Sequence, residues 1–400
     1  MKCISFLGAG NYSTTVYYYG DSECETNVIQ QALNEIFNPE EIILFTTDYA
    51  EQKNLDLVLK KLENIRVVKI PDGKREEEHW EIFDLICNSI DCEEIICDIT
   101  HALRSIPFIS FLTIAYLKEI KDITIGKIVY GAFEAKDDKN RTPILDLTSF
   151  SAVLDWMIGV RDFIKFGNAG LLSELLKKSN DRAYREDFPF KPKKLKNFSD
   201  RITEFSNSVN LLRPIEALNL ADKIDKELLQ VEKEIENLNL KPVTGIMEKI
   251  REISKIAYSG EELDPKMLGR QLELIKYQMN SGLYLQAVEF LREWIINYLI
   301  LALDYEKNNW LSRDVRETVE KTLGASIKKK SGEDYHETIL MERFEALALI
   351  EEITKTWSTV STIRNDLAHC GMNENRIKAN KIRKIAEELI EIADNIIKSL

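Results

Sequence analysis

A chain of 400 residues, 44% hydrophobic and 30% charged, has the composition of an ordinary globular protein with room for two or three separately cored domains. Its net charge of −13 is uneven: residues 1–150 hold 15 Lys+Arg against 26 Asp+Glu, and the remaining 250 hold 39 against 41. An acidic first part is a poor generic nucleic-acid binder, because non-specific affinity comes from cations meeting phosphates, and no stable DNA binding is expected.

No apolar run approaches the ~20 residues of a membrane helix, and the start of the chain lacks signal-peptide form, so no membrane partner and a cytoplasmic location are expected. Six cysteines include Cys87, Cys92 and Cys97 at five-residue spacing, which is not the C-x-x-C of zinc sites. They read as reduced structural thiols, and no metal site is expected.

Strands are predicted at 2–7, 41–47, 65–70, 93–99 and 124–134, with helices at 25–37, 49–62, 76–90 and 107–120 between them. A turn at Asp137 to Asn140 leads to a last short strand at 143–147. Short apolar runs alternating with helices predict a Rossmann-like α/β domain over residues 1–148, built on a parallel sheet. From 149 to 400 strand signals vanish, and an all-α domain is predicted. Its helices fall at 150–166, 171–178, 202–211, 214–238, 283–303, 313–323, 335–368 and 376–400, with loops at 187–198, 259–265 and 326–334. We divide it into a helical linker or insert at 149–275 and a core at 276–400. The helix at 283–303 carries Val288, Leu291, Ile295, Tyr298 and Leu299 near one stripe, which fits the centre of a bundle or part of a dimer seam.

In an open parallel sheet, ligands bind beyond the carboxyl ends of the strands. The first strand runs into Gly8, Ala9, Gly10, Asn11, Tyr12, Ser13 and Thr14. This loop is short of a dinucleotide fingerprint, since Ser13 stands where the third glycine belongs and no strand-ending acid lies ~20 residues on. A hydride-transfer cofactor is therefore not expected, although the glycines let backbone approach a phosphate. At the fourth strand's end comes Asp98-Ile99-Thr100-His101-Ala102-Leu103-Arg104-Ser105-Ile106-Pro107. Thr100, His101, Arg104 and Ser105 at a helix start suit an anion pocket, or equally an ordinary helix entry with Arg104 in a local ion pair.

Near the end of the chain stands Arg364-Asn365-Asp366-Leu367-Ala368-His369. A permanent cation and a group titrating near neutrality are the minimum kit for metal-free RNA cleavage: histidine moves protons, and arginine holds the phosphate. A surface arginine and a helix-terminal histidine favoured by the dipole are the plainer reading of the run alone. Five helical residues turn through about 140°, so a straight helix would point the pair apart. Gly371 is a natural place for the helix to end and release His369. Asp366 reads as a solvated position, and Arg292 with Glu293 as a local ion pair that could back up the site. Lys191, Lys193, Lys194 and Lys196, interleaved with Phe188, Phe190 and Phe198, and the run Lys328 to Lys330 could contact RNA, but solvated loops are the plainer reading.

The glycine loop, D-I-T-H-x-x-R-x-x-P, the helical half and R-x-x-x-x-H occur in the order that resembles the CARF–HEPN ribonucleases accompanying type III CRISPR interference complexes. Tyr284 to Trp294 (Y-L-Q-A-V-E-F-L-R-E-W) also looks like the helical domain of that family. Ala102 departs from it, standing where a glycine is common. The resemblance implies a sensor domain for a cyclic oligoadenylate, with a leaning toward tetra-adenylate, contacted by Gly8, Gly10, Asn11, Tyr12, Ser13, Thr14, Thr100, His101, Arg104 and Ser105. It implies a homodimer whose paired Arg364, Asn365 and His369 cut single-stranded RNA by 2′-hydroxyl attack, with no cofactor beyond the activator. The alternatives are a non-catalytic, ligand-responsive regulator with a degenerate helical domain, and a ribonuclease not gated by nucleotide.

Overall fold

A computed structural model of the chain describes residues 1–101, 106–238, 240, 247–248 and 250–400. Its contacts divide into two compact units, Met1–Leu154 and Asp155–Leu400.

The first unit is built on an eight-stranded sheet. Its strands are β1 (Lys2–Phe6), β2 (Thr15–Tyr19), β3 (Ser22–Thr26), β4 (Ile42–Thr46), β5 (Ile65–Lys69), β6 (Glu94–Asp98), β7 (Thr124–Gly131) and β8 (Arg141–Asp146). The helices of this unit are α1 (Ile29–Phe37), α2 (Asp48–Leu59), α3 (Glu76–Ser89) and α4 (Ile106–Lys121). Strand order is β3-β2-β8-β7-β6-β1-β4-β5. The stretch from β7 through β6, β1 and β4 to β5 is parallel, with Cys3 opposite Ile42 and Ile96. Every residue of β4 is buried, as a strand covered on both faces requires. Alternate side chains feed two cores: Cys3, Ile42, Leu44 and Ile96 pack with Ile29 and Leu33 of α1 on one face. Ile4, Phe6, Ile43 and Phe45 pack with Ile82 and Ile86 of α3 on the other.

The sheet is mixed rather than parallel. β8 runs antiparallel to β7, β2 runs parallel to β8, and β3 returns antiparallel on β2. The β2–β3 hairpin was not predicted, and the expected helix at 25–37 begins only at Ile29 because Glu25 pairs with Val16 in the hairpin. Gly20, with φ 58°, supplies the left-handed residue that a two-residue turn needs. The local signal was there in alternating Val16, Tyr17, Tyr18 and Tyr19, but the glycine loop ahead of it reads as continuous with them.

The helices of the second unit begin with α5 (Ser151–Phe166), α6 (Gly170–Arg185), α7 (Leu195–Asn210) and α8 (Pro214–Asn237). They continue as α9 (Pro265–Asn280), α10 (Tyr284–Ala302), α11 (Arg313–Ser331), α12 (Met341–Glu345), α13 (Ile350–Ala368) and α14 (Ala379–Ile397). α9 was missed in the sequence, although its entry is marked by Asp264, whose carboxylate accepts from Met267 N, and by Pro265 at its first turn. The predicted helix at 335–368 is broken into α12 and α13, and α11 continues through most of the loop expected at 326–334. Gly159 lets α5 approach α6: a Cβ there would stand 3.0 Å from Leu172 N.

α10 is the centre of this bundle, packed by α9, α11, α13 and α14. Val288, Leu291, Trp294, Ile295 and Leu299 are buried, and Trp294 donates its indole N–H to Leu268 O at 3.0 Å. The stripe read from the sequence is thus covered by the chain's own helices. Burying each such side chain contributes about 1.5–3 kcal/mol.

Candidate functional sites

In the first unit, the ends of β1 and β6 meet around Asp98. Asp98 is fully buried. One of its oxygens accepts from Ser5 Oγ at 2.6 Å, and the other from the N–H and hydroxyl of Thr100. Burial raises its pKa, against the pull of these donors. Thr100 Oγ1 in turn accepts from Gly131 N at 2.8 Å, tying the end of β6 to β7. Burial lowers the pKa of neighbouring His101, whose Nε2 is enclosed without a hydrogen-bond partner among the described residues.

The glycine loop folds over this cluster. Tyr12 stacks on the His101 ring with centroids 4.4 Å apart and planes 14° from parallel. Its hydroxyl accepts from Gly8 N at 2.9 Å and lies 3.0 Å from Gly8 O. Burial pushes that hydroxyl's pKa upward. Asn54 of α2, a buried polar residue the sequence reading passed over, donates to Gly8 O at 2.8 Å and Gly10 O at 2.9 Å. Gly8 is required sterically, since a Cβ would lie 2.9 Å from His101 O. Gly10 is not: a Cβ there would meet nothing within 4 Å, so its lack of a side chain leaves open space above the loop.

That space is a cavity of about 720 Å³ lined by Gly8, Gly10, Thr47, Tyr49, Lys74 and His101 among others. A volume of this order suits a small-molecule ligand. Thr47 also caps α2, accepting from Ala50 N at 3.3 Å, so a helix start opens near the cavity wall. A second cavity of about 170 Å³ shares His101 with the first and is lined by Asn11, Tyr12, Ser13, Thr100 and Glu134 with Tyr130. Gly8, Gly10, Asn11, Tyr12, Ser13, Thr100 and His101 are therefore brought together around two adjoining spaces. Thr14 lines neither of them, and its carbonyl accepts from Asn140 Nδ2 at 3.1 Å. Ala102, Arg104 and Ser105 lie outside the described residues.

In the second unit, α13 ends at Ala368 and His369 is its C-cap, with the imidazole exposed. Cys370 at φ 57° and Gly371 at φ 62° turn the chain away, and Gly371 N bonds back to Asp366 O at 2.7 Å. The helix thus stops where Gly371 marked it, while His369 N still bonds to Asn365 O at 3.1 Å, so the histidine's own backbone keeps the helical register up to the cap. Arg364 is half-buried, and its Nε donates to Glu289 Oε2 of α10 at 3.0 Å. Asn365 is exposed, with its side-chain oxygen 3.4 Å from Arg364 Nη1.

Two minor expectations are corrected here. Asp366 is not a solvated position: it is buried and accepts from Asn373 Nδ2 at 2.8 Å, fixing the turn after the helix. The lysine-rich stretch at 191–196 is no open loop over its length, because α7 starts at Leu195 and Phe198 is buried in the core. The Glu234 carboxylate already takes the backbone N–H groups of Lys193, Lys194 and Leu195. Of the second basic run, Lys329 pairs with Glu345 at 2.7 Å. Arg292 and Glu293 do form a local pair at 2.6 Å, and Glu293 also binds Arg316 at 2.6 Å.

Residues 152–258 match the family model described as the second domain of CRISPR-associated protein MJ1674. A CRISPR-associated protein of that name from Methanocaldococcus jannaschii is 28% identical over 177 residues, which are 41% of this chain and 27% of the relative. The chain thus spans little more than a quarter of that relative's length. The match falls within the stretch, 149–275, read above as a linker or insert. Among solved structures, Enterococcus italicus Csm6 bound to cyclic hexa-2′-fluoro-hexa-dAMP aligns over 99% of this chain and 93% of its own, at 11% identity and a TM-score of 0.42. An overlay this loose fixes neither fold nor site. The resemblance to CRISPR-associated proteins is carried by sequence, and the family model places it at residues 152–258. No helix among the described residues is long and apolar enough to cross a membrane.

Proposed function

We propose, for a chain similar to a CRISPR-associated protein over 152–258, that it is a metal-independent endoribonuclease of type III CRISPR defence, switched on by a cyclic oligoadenylate. The observation that carries this reading is the end of α13. There a half-buried, oriented guanidinium and an exposed imidazole stand on either side of a helix stop. His369 would take the proton from a ribose 2′-hydroxyl as its oxygen attacks the adjacent phosphorus, and Arg364 would hold the phosphate as charge develops. In a homodimer the second His369 would protonate the departing 5′-oxygen. Products would carry a 2′,3′-cyclic phosphate and a 5′-hydroxyl. Asn365, beside Arg364, would contact RNA or steady the arginine.

For the activator, the cavities flanking Tyr12 and His101 supply stacking surfaces, an open glycine backbone and a helix start, which suit bases and phosphates in an otherwise acidic unit. Tetra-adenylate is the expected ring. The reading is tested by incubating labelled RNA with the protein, alone and with cyclic tetra- or hexa-adenylate, in EDTA. Cutting that appears only with one of the rings and survives the chelator is expected. Cutting that needs added magnesium or manganese would exclude the mechanism, and no cutting with either ring would leave a non-catalytic regulator.

A further inference from the structure

Arg364 reaches across from α13 to α10, and the contact uses one edge of the guanidinium. Nε donates to Glu289 Oε2 at 3.0 Å, while Nη1 has only the long 3.4 Å approach to Asn365. Nη2 meets no acceptor among the described residues. A guanidinium carries five N–H donors in a planar fork, so a carboxylate on Nε fixes the plane and leaves the terminal nitrogens for an anion. We propose that Glu289 is a positioning residue, holding Arg364 by its Nε edge so that the terminal nitrogens meet the RNA phosphate.

The helix pair does not need this ion pair for its cohesion. Three residues further along α10, Arg292 lies over the Trp357 ring of α13 at 4.7 Å. Val288 and Leu291 of α10 and Val360 and Ile363 of α13 are buried. The Glu289 and Arg364 side chains, by contrast, keep 21% and 38% of their exposure, and pairs so wetted add little to stability. What the pair supplies is orientation at an arginine in the last turns before the helix stop. Lysine in place of Arg364 would keep the charge but lose the fork, and with it the division of labour between edge and tip.

The inference rests on the ribonuclease reading, and its test separates the two. Wild type, Glu289→Ala, Glu289→Gln and Arg364→Lys are compared under saturating activator by RNA cleavage and by thermal melting. Glu289→Ala should lower kcat about 10- to 100-fold, the cost of a misplaced catalytic group. KM should stay level or fall, because a negative charge beside the RNA has gone. Glu289→Gln, whose amide oxygen still accepts from Nε, should recover most of kcat. Arg364→Lys should not recover it, and the melting temperature of the Glu289 variants should hardly move. The inference is overturned if Glu289→Ala cuts at the wild-type kcat or faster, the latter meaning that the carboxylate shields the arginine. It is also overturned if Gln is no better than Ala and both lose kcat only as they lose fold. A wild type that cuts no RNA removes the ribonuclease reading and this inference with it, whereas an active wild type with an indifferent Glu289→Ala removes only the inference.

Discussion

Asp98 sits fully buried, with its oxygens taken by Ser5 and Thr100, while His369 stands exposed at a helix end with an open ring. Around Asp98, three strand ends and the glycine loop interlock through Thr100, Gly131, Tyr12 and Asn54, so the loop is held by the chain's own bonds. Around His369, Glu289 holds the arginine, and the histidine has a backbone anchor but, among the described residues, no hydrogen bond on its ring. The difference suits the division of roles proposed above. A pre-organised pocket spends no ordering entropy on a ligand, whereas a site with a single proton carrier needs a second copy to supply both base and acid.

The largest effect should come from the exposed site. His369→Ala or Arg364→Ala should cut RNA about 10²–10⁴-fold more slowly, while calorimetry shows cyclic oligoadenylate bound as in the wild type. Parallel loss of activator binding would mean that the two sites are not separate. The converse substitutions, Arg104→Ala or a combined change at Thr100 and His101, should weaken activator binding and leave the catalytic pair intact.

Sharpening the comparison further, a tethered dimer with one wild-type copy and one His369→Ala copy tests whether the exposed site is shared. Independent sites would keep about half the wild-type rate. A composite site should fall far below half, toward the loss of one general acid or base. A rate near half at saturating activator would leave each Arg364 and His369 pair acting alone.

The buried site should show itself in stability instead. Asp98→Ala strands the Ser5 and Thr100 donors without an acceptor and should destabilise the fold by about 3 kcal/mol. Asp98→Asn keeps one acceptor oxygen and should cost less. Urea denaturation reads both, and equal losses would mean that the one acceptor oxygen kept by asparagine carries no share.

How legible each site was follows from the same contrast. Arg364, His369 and the helix stop at Gly371 are neighbours in sequence, so spacing and a C-cap signal sufficed to find them. Glu289 lies 75 residues away, and only the packing of α10 on α13 brings it to the arginine. In the first unit, the strand ends were readable as apolar runs halted by Gly8 and Asp98. The tie from Asn54 was not, because a polar residue on a helix says nothing of its partner until the loop folds over it. The β2–β3 hairpin was lost for a different reason: its pairing is local, with Tyr19 opposite Ser22 across Gly20, but the glycine loop ahead of it reads as continuous with its first strand. For Glu289 and Asn54 the missing information was a long-range pairing, not a local preference.

The smallest expected effect is a pH dependence from His101. Burial disfavours its charged form, so its folded pKa lies below the ~6.5 of an exposed imidazole. As pH falls, the unfolded chain therefore takes up the proton first. The stability contributed by a neutral His101 is complete above ~6.5 and is lost as pH falls from there through the folded value, at no more than ~1.4 kcal/mol per pH unit. Asp98, whose pKa burial raises, has the opposite sign, losing stability as pH rises through its folded value, and the nearby Glu134 carboxylate favours the imidazolium. Because these terms overlap, the comparison must be with a variant. His101→Asn removes the imidazole and also its stacking on Tyr12, which should appear as a pH-independent offset. Above that offset, the stability advantage of the wild type should shrink as pH drops from about 7.5 to 5. Denaturation curves across that window read the difference directly. An advantage constant over the whole range would show that His101 keeps one protonation state there, and that the buried site does not respond to acid through this residue.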